Sequence, residues 1–235
     1  MTTATLPPAS PPAPPALVGL LDYVAPGDYL VKTGVTFAEY EQLIDARTAA
    51  GRRGVKIAYD NGVMEIMVVS GIHERLKKLV ALLIEEWITE TGGAYLPSGG
   101  MTHKRSDLEA GFEPDECFYI QNWQRVAGLR NIDFATDPPP DLLVEIEVSR
   151  SAFARFPLYA AFRIPEVWRY DGTRLVPYRL QANGTYLVVT ASVALPTLPL
   201  AELPRFLNMA ADLTMDFAAI SRQFRAWVRS RGHNP

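Results

Sequence analysis

The chain reads as an α/β protein, a mixed sheet flanked by helices. Three observations predict it. Apolar residues recur at helical spacing over 71–91. Alternating residues flank two turn signals, Asn61-Gly62 and Asp171-Gly172. Short apolar runs follow the helical stretches instead of segregating from them. Of 235 residues, 48% are hydrophobic and 21% charged, so most of the chain can bury a core. One cysteine, Cys117, excludes an internal disulfide framework and a Cys-rich zinc site. The formal net charge is −3, with pI about 5.7. Nucleic acid would therefore have to be held by a local site, not by overall charge.

Residues 1–17 are almost all Pro, Ala, Ser and Thr. Proline fixes φ and lacks an N–H, so a disordered, extended tail is expected there. Its prolines and missing basic start exclude a secretory signal. No apolar run reaches the roughly 18 residues of a membrane span, so a soluble cytoplasmic protein with no membrane contact is expected. The domain proper is expected over 18–212, followed by an amphipathic helix and tail over 213–235.

Thr36 and Glu39 form a capping box ahead of Tyr40, Leu43 and Ile44, which predicts a helix over 36–49. Val55, Ile57 and Tyr59 lead into Asn61-Gly62, and 63–69 runs back, which predicts an N-terminal hairpin. In the next helix Ile72, Leu76, Leu79, Val80, Leu83, Ile84, Trp87 and Ile88 form one apolar stripe, and Gly92-Gly93 ends it. Strands are expected over 94–97, 101–104, 112–120 and 141–148. A short helix interrupted at Pro157 follows over 152–162, then a hairpin over 167–180 and a strand over 186–189. The Pro/Leu-rich 195–204 reads as irregular, and a terminal helix as 214–229.

Two stretches carry chemistry. In the strand over 141–148, alternation puts Leu142, Val144, Ile146 and Val148 on one face and Leu143, Glu145 and Glu147 on the other. Two carboxylates on one face of an apolar strand need a compensating positive charge, unless that face is open to water. In Glu113-Pro-Asp115, the proline cannot donate to a ladder, so the strand should begin or bulge there and leave Asp115 accessible at its start. Carboxylates without a cation repel, so removing one should leave stability level or higher. Cys117 reads as a small buried hydrophobe. Glu65 stands out on a face of the first hairpin with Val63 and Met67.

Glu113-Pro-Asp115 followed by an apolar strand with Glu145 resembles the PD-(D/E)XK nuclease superfamily. More narrowly, the chain resembles the Uma-type restriction endonucleases. The matching segments are 63–67, the helix opening at His73-Glu74, 104–108, 113–115, 137–145 and 165–172, in order across about 35–205. The resemblance implies a restriction-endonuclease-like core and phosphodiester hydrolysis of DNA. It also implies a divalent metal held by Asp115 and Glu145; hard oxygen ligands suit Mg²⁺ or Mn²⁺, and Glu147 is read as a further ligand or base. The superfamily lysine two residues after the second acid is here Glu147. Lys104 is the expected substitute, with His73 helping at water or phosphate. Arg222, Arg225, Arg229 and Arg231 are partly at helical spacing and read as a phosphate-lining face or as a solvated one. Nucleases that cut both strands are often dimers, which leaves a homodimer open. The alternative is a catalytically inactive nucleic-acid- or protein-binding module, its lysine lost.

Overall fold

The computed structural model describes residues 15–22, 24–52, 54–147, 155–212 and 214–232. The expected disordered tail over 1–14, Val148 and the start of the helix expected from 152 lie outside the described residues. Helix α1 (Pro15–Leu20) begins inside the expected tail, where proline suits a first helical turn. Strand β1 (Tyr29–Thr33) carries no sequence signal of its own and forms because β3 offers it an edge. The capping box at Thr36 and Glu39 is present and opens α2 (Phe37–Ala49).

β2 (Val55–Asp60) and β3 (Val63–Val68) form the predicted hairpin. Asn61 (φ 45°) and Gly62 (φ 89°) both take the left-handed conformation that its tight turn requires. α3 (Gly71–Glu90) follows, capped by the Ser70 side chain. Its stripe is buried from Leu76 to Ile88, but Ile72 lies outside it and is exposed. Then come β4 (Leu96–Pro97), β5 (His103–Arg105), β6 (Ala110–Phe112) and β7 (Glu116–Tyr119). The next elements are α4 (Trp123–Val126), β8 (Leu142–Ile146) and α5 (Arg155–Ala161). α5 runs through Pro157, close to its described start, where few intrahelical donors are lost. β9 (Glu166–Tyr170), β10 (Leu175–Leu180) and β11 (Tyr186–Val188) complete the strands. The stretch expected to be irregular holds a 3₁₀ turn and α6 (Leu203–Leu207), and the chain's last helix is α7 (Phe217–Ser230).

The fold is α/β as predicted, but the strands divide between two sheets. One is antiparallel, in the order β1-β3-β2-β6-β5. The other is mixed, in the order β11-β10-β9-β8-β7-β4, with β8 and β9 parallel. The single strand expected over 112–120 is the link between them. Pro114 ends pairing after β6 in the first sheet, and the chain enters the second sheet as β7.

Three apolar cores follow from this arrangement. α2 covers the outer face of the first sheet through Tyr40, Leu43 and Ile44. α3, α6 and α7 cover one face of the second sheet, against Leu142, Val144 and Ile146. Between the sheets, Ala58 and Phe112 meet Cys117, Leu143 and Val167, with Leu158 and Tyr159 of α5. α7 is integral to its core: Ile220, Phe224 and Val228 are fully buried, and Trp227 packs 6.0 Å from Trp87. Among the described residues, no helix is long and apolar enough to cross a membrane.

Candidate active site

Asp115 sits where the chain passes from one sheet to the other. It is buried, and both its oxygens are engaged. The Lys56 ammonium and the His73 ring share Oδ1, the His73 Nε2 at 2.6 Å. The Ile146 backbone N–H donates to Oδ2 at 2.6 Å. Each partner arrives for a local reason. Alternation along β2 puts Lys56 with Ala58 on the face toward the second sheet. The Ser70 cap holds His73 in the first turn of α3, accepting from its backbone N–H at 3.3 Å. Ile146 is the last residue of β8.

Glu145 joins the same place. β7 and β8 pair Glu116 with Val144, so Asp115 continues that register opposite Glu145. Glu145 is buried, and the Tyr159 hydroxyl of α5 donates to its Oε1 at 2.5 Å. Burial first, then the negative charge of Asp115, pushes the Glu145 carboxyl above the usual range. Burial alone would push Asp115 up as well. The Lys56 charge, with the bond and charge of His73, outweighs it and holds Asp115 below the usual range. Burial and the Glu145 carboxylate raise the Tyr159 hydroxyl, so it remains a donor. Glu65, fully buried on β3, meets Arg155 at 2.7 Å and closes this polar cluster from the first sheet.

Not every expected residue is drawn in. Lys104 lies on β5, and its ammonium binds Glu41 at 2.6 Å on an exposed surface. Lys56 occupies the place expected for it. Glu147 shares the face of Glu145 but stands past the strand end, half-exposed and paired with Arg169. Arg169 is itself stacked on Phe156 at 5.1 Å. Of the C-terminal arginines, Arg229 pairs with Glu90, Arg225 approaches Glu86, and Arg231 lies over Trp227. Cys117 is buried as expected, its thiol pushed up by burial and donating to the Gly99 carbonyl. Sequence reasoning missed Lys56. Its signal was a lone lysine in the apolar run Val55-Lys-Ile-Ala-Tyr59.

Glu113, the first residue of Glu-Pro-Asp, is a structural latch. Arg47 grips it bidentately at 2.5 and 2.6 Å, Thr102 donates at 2.6 Å, and the Ile57 N–H at 3.1 Å. This ties α2 and β2 to the strand crossing. Beside it opens a groove of about 450 Å³ whose charged lining is Arg47, Arg52, Lys56, Lys77, Glu74 and Glu113.

The donor set suits a hard divalent cation in one respect: two carboxylates are close enough that one raises the other. Among the described residues, no three His, Cys, Asp or Glu side chains are grouped to ligate one ion. Water or substrate oxygens would have to complete a shell on Asp115 and Glu145.

No curated protein matches the chain. A crystal structure at 1.96 Å resolution, of a putative nuclease belonging to DUF820 from Anabaena variabilis, is similar to it at 15% identity. Its TM-score is 0.47, over 81% of this chain and 99% of that one. The family model Uma2, described as a putative restriction endonuclease, matches residues 37–215. That span is well over half of the chain, and the chain belongs to the Uma2 putative restriction endonuclease family.

Proposed function

We propose that the protein is a metal-dependent endonuclease that hydrolyses phosphodiester bonds in DNA. The observation that carries this reading is a buried lysine on Asp115, with Glu145 opposite on the next strand. Two acids and a lysine are the residue types this hydrolysis uses, and Lys56 supplies the lysine that Glu147 displaces from its usual place. Asp115 and Glu145 would hold Mg²⁺ or Mn²⁺. A divalent ion, when bound, supplies Lewis acidity and charge neutralisation at the phosphate.

The chain's own residues do the rest. Lys56 places a positive charge beside Asp115, where negative charge would build up on the phosphate. His73 and the Ile146 amide fix the Asp115 carboxylate, and Tyr159 fixes that of Glu145. Burial keeps bulk water from screening these charges. Cutting both strands of a duplex would need two such sites, which a homodimer would supply.

The test is plasmid nicking with Mg²⁺ or Mn²⁺ by the native protein, Asp115→Asn and Lys56→Met. The expected result is nicking by the native protein alone, abolished by EDTA. Nicking by Asp115→Asn equal to native would refute the site. Glu147 and its Arg169 partner favour a second reading, a binding module without catalysis. Metal binding and DNA binding with no nicking on any DNA would favour it.

A further inference from the structure

The groove beside Lys56 is not used by the reading above. We propose that it binds the DNA backbone phosphate next to the scissile one, with Lys77 as its main cation. This inference rests on the nuclease reading and adds where the substrate strand runs.

The groove has a charge opposite to that of the protein. Four cations line it against two carboxylates, in a chain whose net charge is −3. Of the four cations, three are committed. Arg47 is held by Glu113, Arg52 by Asp22, and Lys56 by Asp115. Among the described residues, Lys77 makes no direct ion pair, and its charge bears only through space on the buried Glu116 carboxyl. It follows His73 by one helical turn, so both side chains leave α3 on one face. A Cβ at Gly100 would lie 3.6 Å from the Lys77 ammonium and 2.9 Å from the Pro114 carbonyl. The ammonium therefore hangs over the strand crossing that carries Asp115. Lys56 belongs to both places: it lines the groove and binds Asp115. A volume of about 450 Å³ suits a nucleotide-sized group. A phosphate in the groove would share Lys56 with the acids, and the strand would continue toward them from there.

The competing surface is α7, packed beside α3 on the same face of the second sheet, where Arg222 is exposed. Lys77→Gln and Arg222→Gln change the net charge equally, so only placement differs between them. The probe is a fluorescein-labelled duplex oligonucleotide, followed by anisotropy in EDTA and again in Ca²⁺ over a salt series. Lys77→Gln should weaken binding roughly 10-fold and flatten the log–log salt slope by about one. Lys77→Arg should restore both, and Arg222→Gln should match the native protein. Equal weakening by the two glutamine variants, or native binding by Lys77→Gln, would overturn the groove. Nicking of plasmid by the native protein separates the two ideas. Native-like binding by Lys77→Gln in an active nuclease sinks the groove alone. Loss of binding at Lys77 in a protein that never nicks sinks the hydrolysis alone. Absence of any DNA binding by the native protein sinks both.

Discussion

The ammonium of Lys56 reverses what removal of Asp115 does. Two carboxylates alone would repel, and losing one would relieve them. With Lys56 buried on Asp115, Asp115→Asn leaves that ammonium without its partner. The expected cost is about 3–5 kcal/mol, read by urea titration at pH 7. Because the folded Asp115 titrates low, its stabilisation is complete above the unfolded value near 4 and is lost in stronger acid. Glu145 has the opposite sign. Its carboxyl is raised, so the folded state loses stability as pH rises through that value. Glu145→Gln should therefore raise the melting temperature at pH 7 in EDTA, and the gain should vanish well below pH ~4.

His103 governs the window between. It is buried between Phe112 and Phe134, with ring centroids at 4.8 and 4.1 Å, and its Nε2 has no hydrogen-bond partner among the described residues. Burial pushes its pKa down to about 4. The unfolded chain takes up this proton near pH ~6.5 and the folded protein does not. Stability should fall by roughly 3 kcal/mol as pH drops from 7 to 4. His103→Leu should flatten that slope in urea titrations; an unchanged slope would show that the fall has another source.

The α3 N-terminus couples packing to the site. Ser70→Ala should cost about 1 kcal/mol and loosen His73, since the same cap bonds the His73 amide. Leu83→Ala, in the fully buried stripe, should cost roughly 2–5 kcal/mol by denaturant titration. α2, the first hairpin and α3 were legible because their signals are local: a capping box, Asn-Gly, an apolar stripe. Pro114 announced a break for the same reason, and Asp115 with it. β1 was not legible, because an edge strand forms on an offered partner and not on its own composition. Nor was the division into two sheets, since alternation fixes faces but not which sheet a strand joins.

Asp115 and Glu145 could be read from one proline and one alternating strand. Lys56 could not, because it reaches Asp115 across 59 positions of chain and between two sheets. Lys104 failed for the converse reason: proximity in sequence placed it, and Glu41 on α2 holds it at the surface. On the proposed reading, the paired acids also set how the folded protein answers metal. Millimolar Mg²⁺ or Mn²⁺ should raise the native melting temperature, since an ion that binds only the folded state stabilises it by mass action. Asp115→Asn should blunt that response in calorimetric titration; equal metal binding by both proteins would remove Asp115 from the metal site.

The strand crossing also fixes an order of assembly. Lys56 and His73 precede Asp115 in the chain, whereas Glu145, the Ile146 amide and Tyr159 follow it. During synthesis the cation and the ring are ready before the first acid emerges. The second acid, its Tyr159 contact and the Ile146 amide that holds Asp115 come later, when most of the domain has been made. A chain stopped short of β8 carries Asp115 already neutralised by Lys56, with nothing opposite to share a metal. On the proposed reading, such a fragment would lack the second acid and could not cut.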